Sequence, residues 1–270
     1  MPLVVVTCLA ALLIAWFIWQ PRWEARRRQR QRSTPFPPAW RAIIRRRVPL
    51  AARLPADLQM QLRRHIQVFL AQTPILGCQG QEVDDEVRVT IAAQACLLLL
   101  NRADAHFAGL RQVLVYPSAF LAPVEHRDEA GVVQSGRDWR AGESWQEGQV
   151  VLSWADVLEG AARPHDGWNV VIHEFAHQLD ARAGISEGMG EGMGESARWH
   201  RVMQPAFEGL QAEVDAGEEP FLDPYGATDA VEFFAVVTEA FFEQGAELAE
   251  VHPALFAEFL DLYGVDTRSW

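Results

Sequence analysis

The residues best equipped for chemistry sit close together in one stretch, Gly167 to Arg182, reading GWNVVIHEFAHQLDAR. Within it His173-Glu174-Phe175-Ala176-His177 matches HExxH. On an α-helix, positions i and i+4 lie one above the other, so His173 and His177 can bind one metal ion. Glu174 stands at the edge of that face, within reach of a metal-activated water, as in zinc peptidases. A catalytic zinc takes three protein ligands and keeps one position open. The metzincin source of the third ligand is excluded, because Leu179, Asp180 and Ala183 stand where its Gly and His would be. Asp180, one turn past His177, is better suited to orienting a ligand His than to ligating. Two carboxylates remain, Glu232 and Glu239. They are seven residues apart on one face of an otherwise apolar stretch, DAVEFFAVVTEAFFEQ. Buried acids need partners, and a zinc ion with two imidazoles would be one. Spacing alone does not choose between them.

The elements that must position these residues are legible as patterns. Val170, Val171, Phe175 and Leu179 give the metal stretch the apolar positions of a core helix. Asp166 is expected to cap its start and Gly184 to stop it. Asp229 to Gln244 is apolar on nearly all sides and predicts a buried helix. Helices are expected over 57–70, 87–100 and 197–214, the last interrupted or kinked at Pro205, and an amphipathic stretch over 253–263. Between them Gln112–Tyr116, Val132–Ser135 and Gln149–Trp154 read as strands, separated by glycines. They predict a small antiparallel sheet just before the metal helix, with an edge strand that could hold an extended peptide by backbone pairing. Residues 187–196, EGMGEGMGES, predict a mobile loop.

The chain's 270 residues are 49% hydrophobic, enough for a sizeable core. Its formal charge is −12, yet residues 1–50 carry ten arginines against the single acid Glu24. The body is therefore strongly acidic, which argues against a nucleic-acid partner. Cys8, Cys78 and Cys96 form no CxxC pair and point to a reducing compartment without a disulfide framework. Residues 2–19 are almost wholly apolar and are followed by a basic cluster from Arg22 to Arg32. Eighteen helical residues span about 27 Å, close to a bilayer core of about 30 Å. The expectation is a transmembrane anchor over 1–21, a basic Pro-containing linker over 22–56 and a zinc peptidase domain over 57–270. Positive charge after the span would place the protein in the inner membrane, single-pass, with the catalytic domain in the cytoplasm. The alternative is a cytoplasmic protein.

A resemblance joins these pieces. HEFAHQLD followed by YGATDAVEFFAVVTEAFF resembles the Mlc titration factor A family of zinc peptidases, as do VLVYPSAF and VVQSGRDWRAGESWQEGQVVLSW in the same order upstream. The likeness covers about residues 57–265. It implies an α+β, mainly helical, zincin-like fold of the gluzincin type, related to the catalytic core of anthrax lethal factor. It also implies that the third ligand is Glu232 and that Tyr225, seven residues earlier, stabilises the oxyanion. Glu239 then becomes a neighbour that steadies a ligand. The family's Pro after Asp is Ala230 here, which leaves Asp229 able to cap the helix.

Two functions follow from that resemblance. One is a peptidase, an aminopeptidase as the family implies, acting on peptides or proteins with one Zn²⁺ per chain and Glu174 as general base. The other is a regulatory zinc-binding protein that sequesters a transcriptional repressor of sugar uptake. Both use the same ligand residues.

Overall fold

The computed structural model describes residues 26–102, 106–118, 120–127, 133–140, 142–145, 148–183 and 196–270, with Leu13, Trp16, Trp19 and Trp23 as isolated helical positions. Two short helices, α1 (Pro38–Arg47) and α2 (Pro49–Arg53), lead into α3 (Ala56–Gln72). Strand β1 (Ile75–Gly77) precedes α4 (Asp85–Ala95), which tightens into a 3₁₀ turn over Cys96–Leu99. Then come β2 (Gln112–Tyr116), β3 (Phe120–Arg127), β4 (Val133–Arg140), β5 (Gly142–Trp145) and β6 (Gln149–Ser153). The rest is helical: α5 (Trp154–Ala162), α6 (Val170–Ala183), α7 (Ser196–Asp215), a 3₁₀ turn at Pro224–Ala227, α8 (Ala230–Glu243), α9 (Gly245–Val251) and α10 (Pro253–Tyr263).

The sheet corrects the expectation of an antiparallel one. Four strands lie in the order β1-β2-β6-β5, and β1, β2 and β6 run parallel. Only β5 runs antiparallel, against β6. Parallel neighbours require the chain to cross over before it pairs again. Here α4 makes the crossover between β1 and β2, and the separate antiparallel β3–β4 ribbon intervenes between β2 and β6. The tight return from β5 to β6 passes through Gly148 at φ 76°, a left-handed conformation that suits glycine. Val132 and residues 187–195 lie outside the described residues, so the expected start of one strand and the EGMG loop go with them.

The expected membrane anchor and the single-pass inner-membrane placement are also corrected. Among the described residues no helix is long and apolar enough to cross a membrane. Most of the apolar run 2–19 falls outside those residues. The continuous helical segment that is described there, 26–33, is arginine-rich and holds no apolar window. Where a linker was expected, α1 and α2 instead bury Ile43, Ile44, Leu50 and Ala51 in the main core. The prolines explain why this was misread. Pro38 and Pro49 occupy the first positions of these helices, where a missing N–H costs nothing. Pro205 likewise does not break α7, which runs through it from Ser196 to Asp215.

The core centres on α8, where every residue from Phe233 to Glu243 is buried. Phe241 and Phe242 pack on Phe259 and Tyr263 of α10, with ring centroids 4.9–6.1 Å apart. Removing one such ring costs about 3–5 kcal/mol. Helix α6 lies along α8 on one side and against β5 and β6 on another. Two rigid helices thus face each other with their polar residues inward.

Candidate metal centre

Helix α6 starts from an asparagine rather than the expected aspartate. The Asn169 side chain accepts the Ile172 N–H at 3.1 Å, and its carbonyl accepts the His173 N–H at 2.9 Å. Asp166 serves the preceding turn, accepting the Trp168 N–H at 3.1 Å. Asn169 is itself buried and bonded in every direction. Its amide donates to Gln94 of α4 and to Glu243 of α8, each at 2.9 Å, and its N–H donates to Glu239. The cap therefore sets where the metal helix begins relative to α8. Asn169 immediately precedes the apolar run, so the ordinary capping signal was present in the sequence. Glu243, one turn beyond Glu239 on the same face, was equally available.

At the other end of α8, Asp229 accepts the N–H groups of Val231 and Glu232 at 2.8 and 2.9 Å. This cap holds with Ala230 in place of proline. It puts Glu232 in the first turn, facing the middle of α6.

Three atoms then converge. Glu232 Oε2 lies 3.0 Å from His173 Nε2 and 3.3 Å from His177 Nε2, and the two Nε2 atoms are 3.1 Å apart. His173, His177 and Glu232 form the metal-competent trio among the described residues. Glu239 takes a different place. Its Oε1 lies 2.7 Å from His173 Nδ1, where it accepts the Nδ1 proton and leaves Nε2 as a lone pair. Three lone-pair atoms pointed at one another repel unless a cation lies between them. Ligands about 2.0–2.1 Å from a tetrahedral zinc stand about 3.3 Å apart, close to these separations. The residues present fit a metal ion.

The charges agree. Burial works against a proton on His173, but the carboxylates of Glu239, Glu232 and Glu174 outweigh it and hold its pKa well above the usual imidazole range. Burial also opposes ionisation of Glu232, yet hydrogen bonds from the imidazoles, whose Nε2 atoms carry a proton only where no cation takes their lone pairs, hold it well below the usual carboxylate range. Three acids around two imidazoles demand positive charge at the centre, and a divalent cation supplies it.

Glu174 is buried beside this trio, 5% exposed, and its Oε2 has no hydrogen-bond partner among the described residues. Burial raises its pKa to about 7, with His173 and His177 pulling the other way. A carboxyl in that range can both take and return a proton near neutral pH. Tyr225 lies on the 3₁₀ turn before α8, 48% exposed, its ring 6.0 Å from that of His173. It borders the site from the open side. Asp180 is buried on α6 but does not steady His177, whose Nδ1 has no hydrogen-bond partner among the described residues.

The sequence pattern of the glucose-regulated metallo-peptidase M90 family matches residues 22–264. The chain belongs to that family. It is 37% identical over 259 residues to the uncharacterized protein slr2042 of Synechocystis, covering 95% of this chain and 94% of the relative. It is 34% identical over 249 residues to Mlc titration factor A of Cronobacter sakazakii, covering 91% and 92%. With Mlc titration factor A of Salmonella agona it shares 35% over 223 residues, covering 81% and 83%. The family's name and the His-His-Glu cluster together point to a metal ion and a metallo-peptidase type of site. The match includes residues 22–56, where α1 and α2 join the core.

Proposed function

We propose that the chain is a zinc-dependent peptidase, with His173, His177 and Glu232 holding one zinc ion and Glu174 serving as general base. The observation that carries this reading is the convergence of three lone-pair atoms beside a buried carboxyl with an unpartnered oxygen. Zinc, when bound, supplies Lewis acidity towards water and the substrate carbonyl. Glu174 accepts the proton of the attacking water and passes it to the leaving amine. Glu239 holds the His173 ring and its tautomer fixed. Tyr225 donates its hydroxyl to the developing oxyanion from the open side. Strand β5 is an edge of the sheet and lies against α6, so its free backbone groups can pair with an extended peptide. An aminopeptidase would need, in addition, a carboxylate to receive the free amine.

The relatives' name speaks more directly for a second reading. These relatives are named as titration factors for Mlc, and the family resemblance implies that this chain would sequester a transcriptional repressor of sugar uptake. The buried Glu174, whose Oε2 has no hydrogen-bond partner among the described residues, favours catalysis at the same site, because a purely structural metal has no use for a base. Glu174→Gln separates the roles. It abolishes cleavage of peptides while leaving metal content and repressor binding intact. Loss of repressor binding in a folded Glu174→Gln protein would count against two separable functions.

A further inference from the structure

Gln94 has no part in the chemistry described above, yet it is only 1% exposed. It lies near the end of α4 among Ile91, Ala92, Ala93 and Ala95, all fully buried. A polar side chain in such surroundings costs stability unless its hydrogen bonds are made. Both ends of the Gln94 amide are used. Its Nε2 donates to the Thr90 carbonyl one turn back, at 3.2 Å, and its Oε1 accepts from Asn169 Nδ2 at 2.9 Å. The first bond fixes which way the amide faces. With Nε2 turned to a carbonyl, Oε1 is the end left for Asn169.

Asn169 is held just as firmly. Its Oδ1 accepts the Ile172 N–H at 3.1 Å, and its Nδ2 donates to both Gln94 and Glu243. Turned over, the amide would set Nδ2 against the Ile172 donor and Oδ1 against the Gln94 acceptor. The Asn169 backbone N–H donates to Glu239 Oε2, and the other oxygen of that carboxylate meets His173 Nδ1 at 2.7 Å. A line of hydrogen bonds therefore runs from Gln94 through Asn169 and Glu239 to one imidazole of the metal-competent trio. Gln94, Asn169 and Glu239 are each no more than 3% exposed, so bulk water does not stand in for a lost member.

We propose that Gln94 is a positioning residue of the metal centre: by holding the Asn169 amide it fixes the Glu239 carboxylate behind His173, and so sets the aim of the Nε2 lone pair. The inference rests on the reading of His173 as a metal ligand. Helix α4 contributes no member of the trio, but it packs on α6 and makes the crossover between β1 and β2. Gln94 thus ties the metal helix to the layer of the sheet. Without an acceptor at position 94, one Asn169 N–H is left buried and unmade. The amide then shifts towards the carboxylates that remain, Glu243 and Glu239, and the support behind His173 moves with it.

The test is zinc affinity by chelator competition on the full chain, together with the visible spectrum of the cobalt-loaded protein. Gln94→Met keeps the length of the side chain and removes both hydrogen-bonding groups. It is expected to weaken zinc binding about tenfold, the low end for loss of an outer hydrogen-bond partner. The cobalt band shifts as well, because His173 meets the ion at an altered angle. Gln94→Glu keeps an acceptor oxygen for Asn169 and recovers most of the affinity. In a Glu239→Gln background, Gln94→Met has no further effect, since the charge it aims has gone. Asn169→Ser keeps a capping oxygen but drops the amide, so it reproduces the loss and serves where Gln94→Met does not fold. Wild-type affinity and an unshifted cobalt band in either folded variant would overturn the proposal. So would losses that simply add in the Gln94→Met/Glu239→Gln double variant. A folded wild-type protein that takes up neither zinc nor cobalt would overturn it together with the metal reading, an outcome distinct from normal uptake in wild type and variants alike.

Discussion

The two ends of α8 carry the same side chain to opposite fates. At its first turn Glu232 is partly accessible and faces two imidazoles, which hold it ionised far below the usual range. At its last turn Glu243 is buried and accepts from the Asn169 amide, and burial pushes it up to about 9. Glu239, between them, is wholly buried, and burial raises it against the pull of His173. One helix therefore presents a carboxylate in the metal-competent trio, an acid against the His173 ring and a protonated buried acid in succession. Chemistry is concentrated where neighbours compensate the charge. Where they do not, the carboxyl keeps its proton and acts as a hydrogen-bonding group.

Three substitutions along α8 probe that gradient, in descending order of effect. Glu232→Ala removes one of three converging ligands, and metal affinity read by chelator competition should fall by more than about 100-fold. Glu239→Gln keeps the shape but removes the charge behind His173, so affinity should fall about 10- to 100-fold while one metal still binds at saturation. An unchanged affinity would separate Glu239 from the site. Glu243→Gln should leave metal binding alone and change stability instead. In the folded protein Glu243 keeps its proton up to about pH 9, whereas in the unfolded chain it ionises near its ordinary value. Wild-type stability is therefore lost progressively as pH rises from about 4.5 to about 9. The glutamine variant escapes that loss and should be more stable at pH 7, by about 1–2 kcal/mol, with no advantage below pH 4. Denaturant melts at pH 4 and pH 7 would reveal it.

Much of the site was legible because its spacing is local or nearly so. HExxH and an apolar helix bearing two acids seven residues apart define the pieces, but spacing left Glu232 and Glu239 equivalent. The choice depends on which imidazole nitrogen each one meets, and that is set by the relative placement of two helices. Asn169 does that setting through contacts to residues about 75 positions away in the chain, Gln94 and Glu243, which no local pattern reveals. The sheet was misread for a similar reason. Short strands near one another in sequence suggest hairpins, whereas β1, β2 and β6 come together by crossover. Proline density at 35–55 read as a linker because helix-starting and helix-breaking prolines look alike until burial is known.

The most direct test measures metal content and peptide cleavage together on the full chain, for wild type and Glu174→Gln. The expected result is one zinc per chain in both proteins, with cleavage at least 1000-fold slower in the variant, roughly the upper range for loss of a general base. Zinc in both with no cleavage by wild type would contradict the peptidase reading and leave the binding role. A folded wild-type protein that takes up no metal would contradict the centre itself.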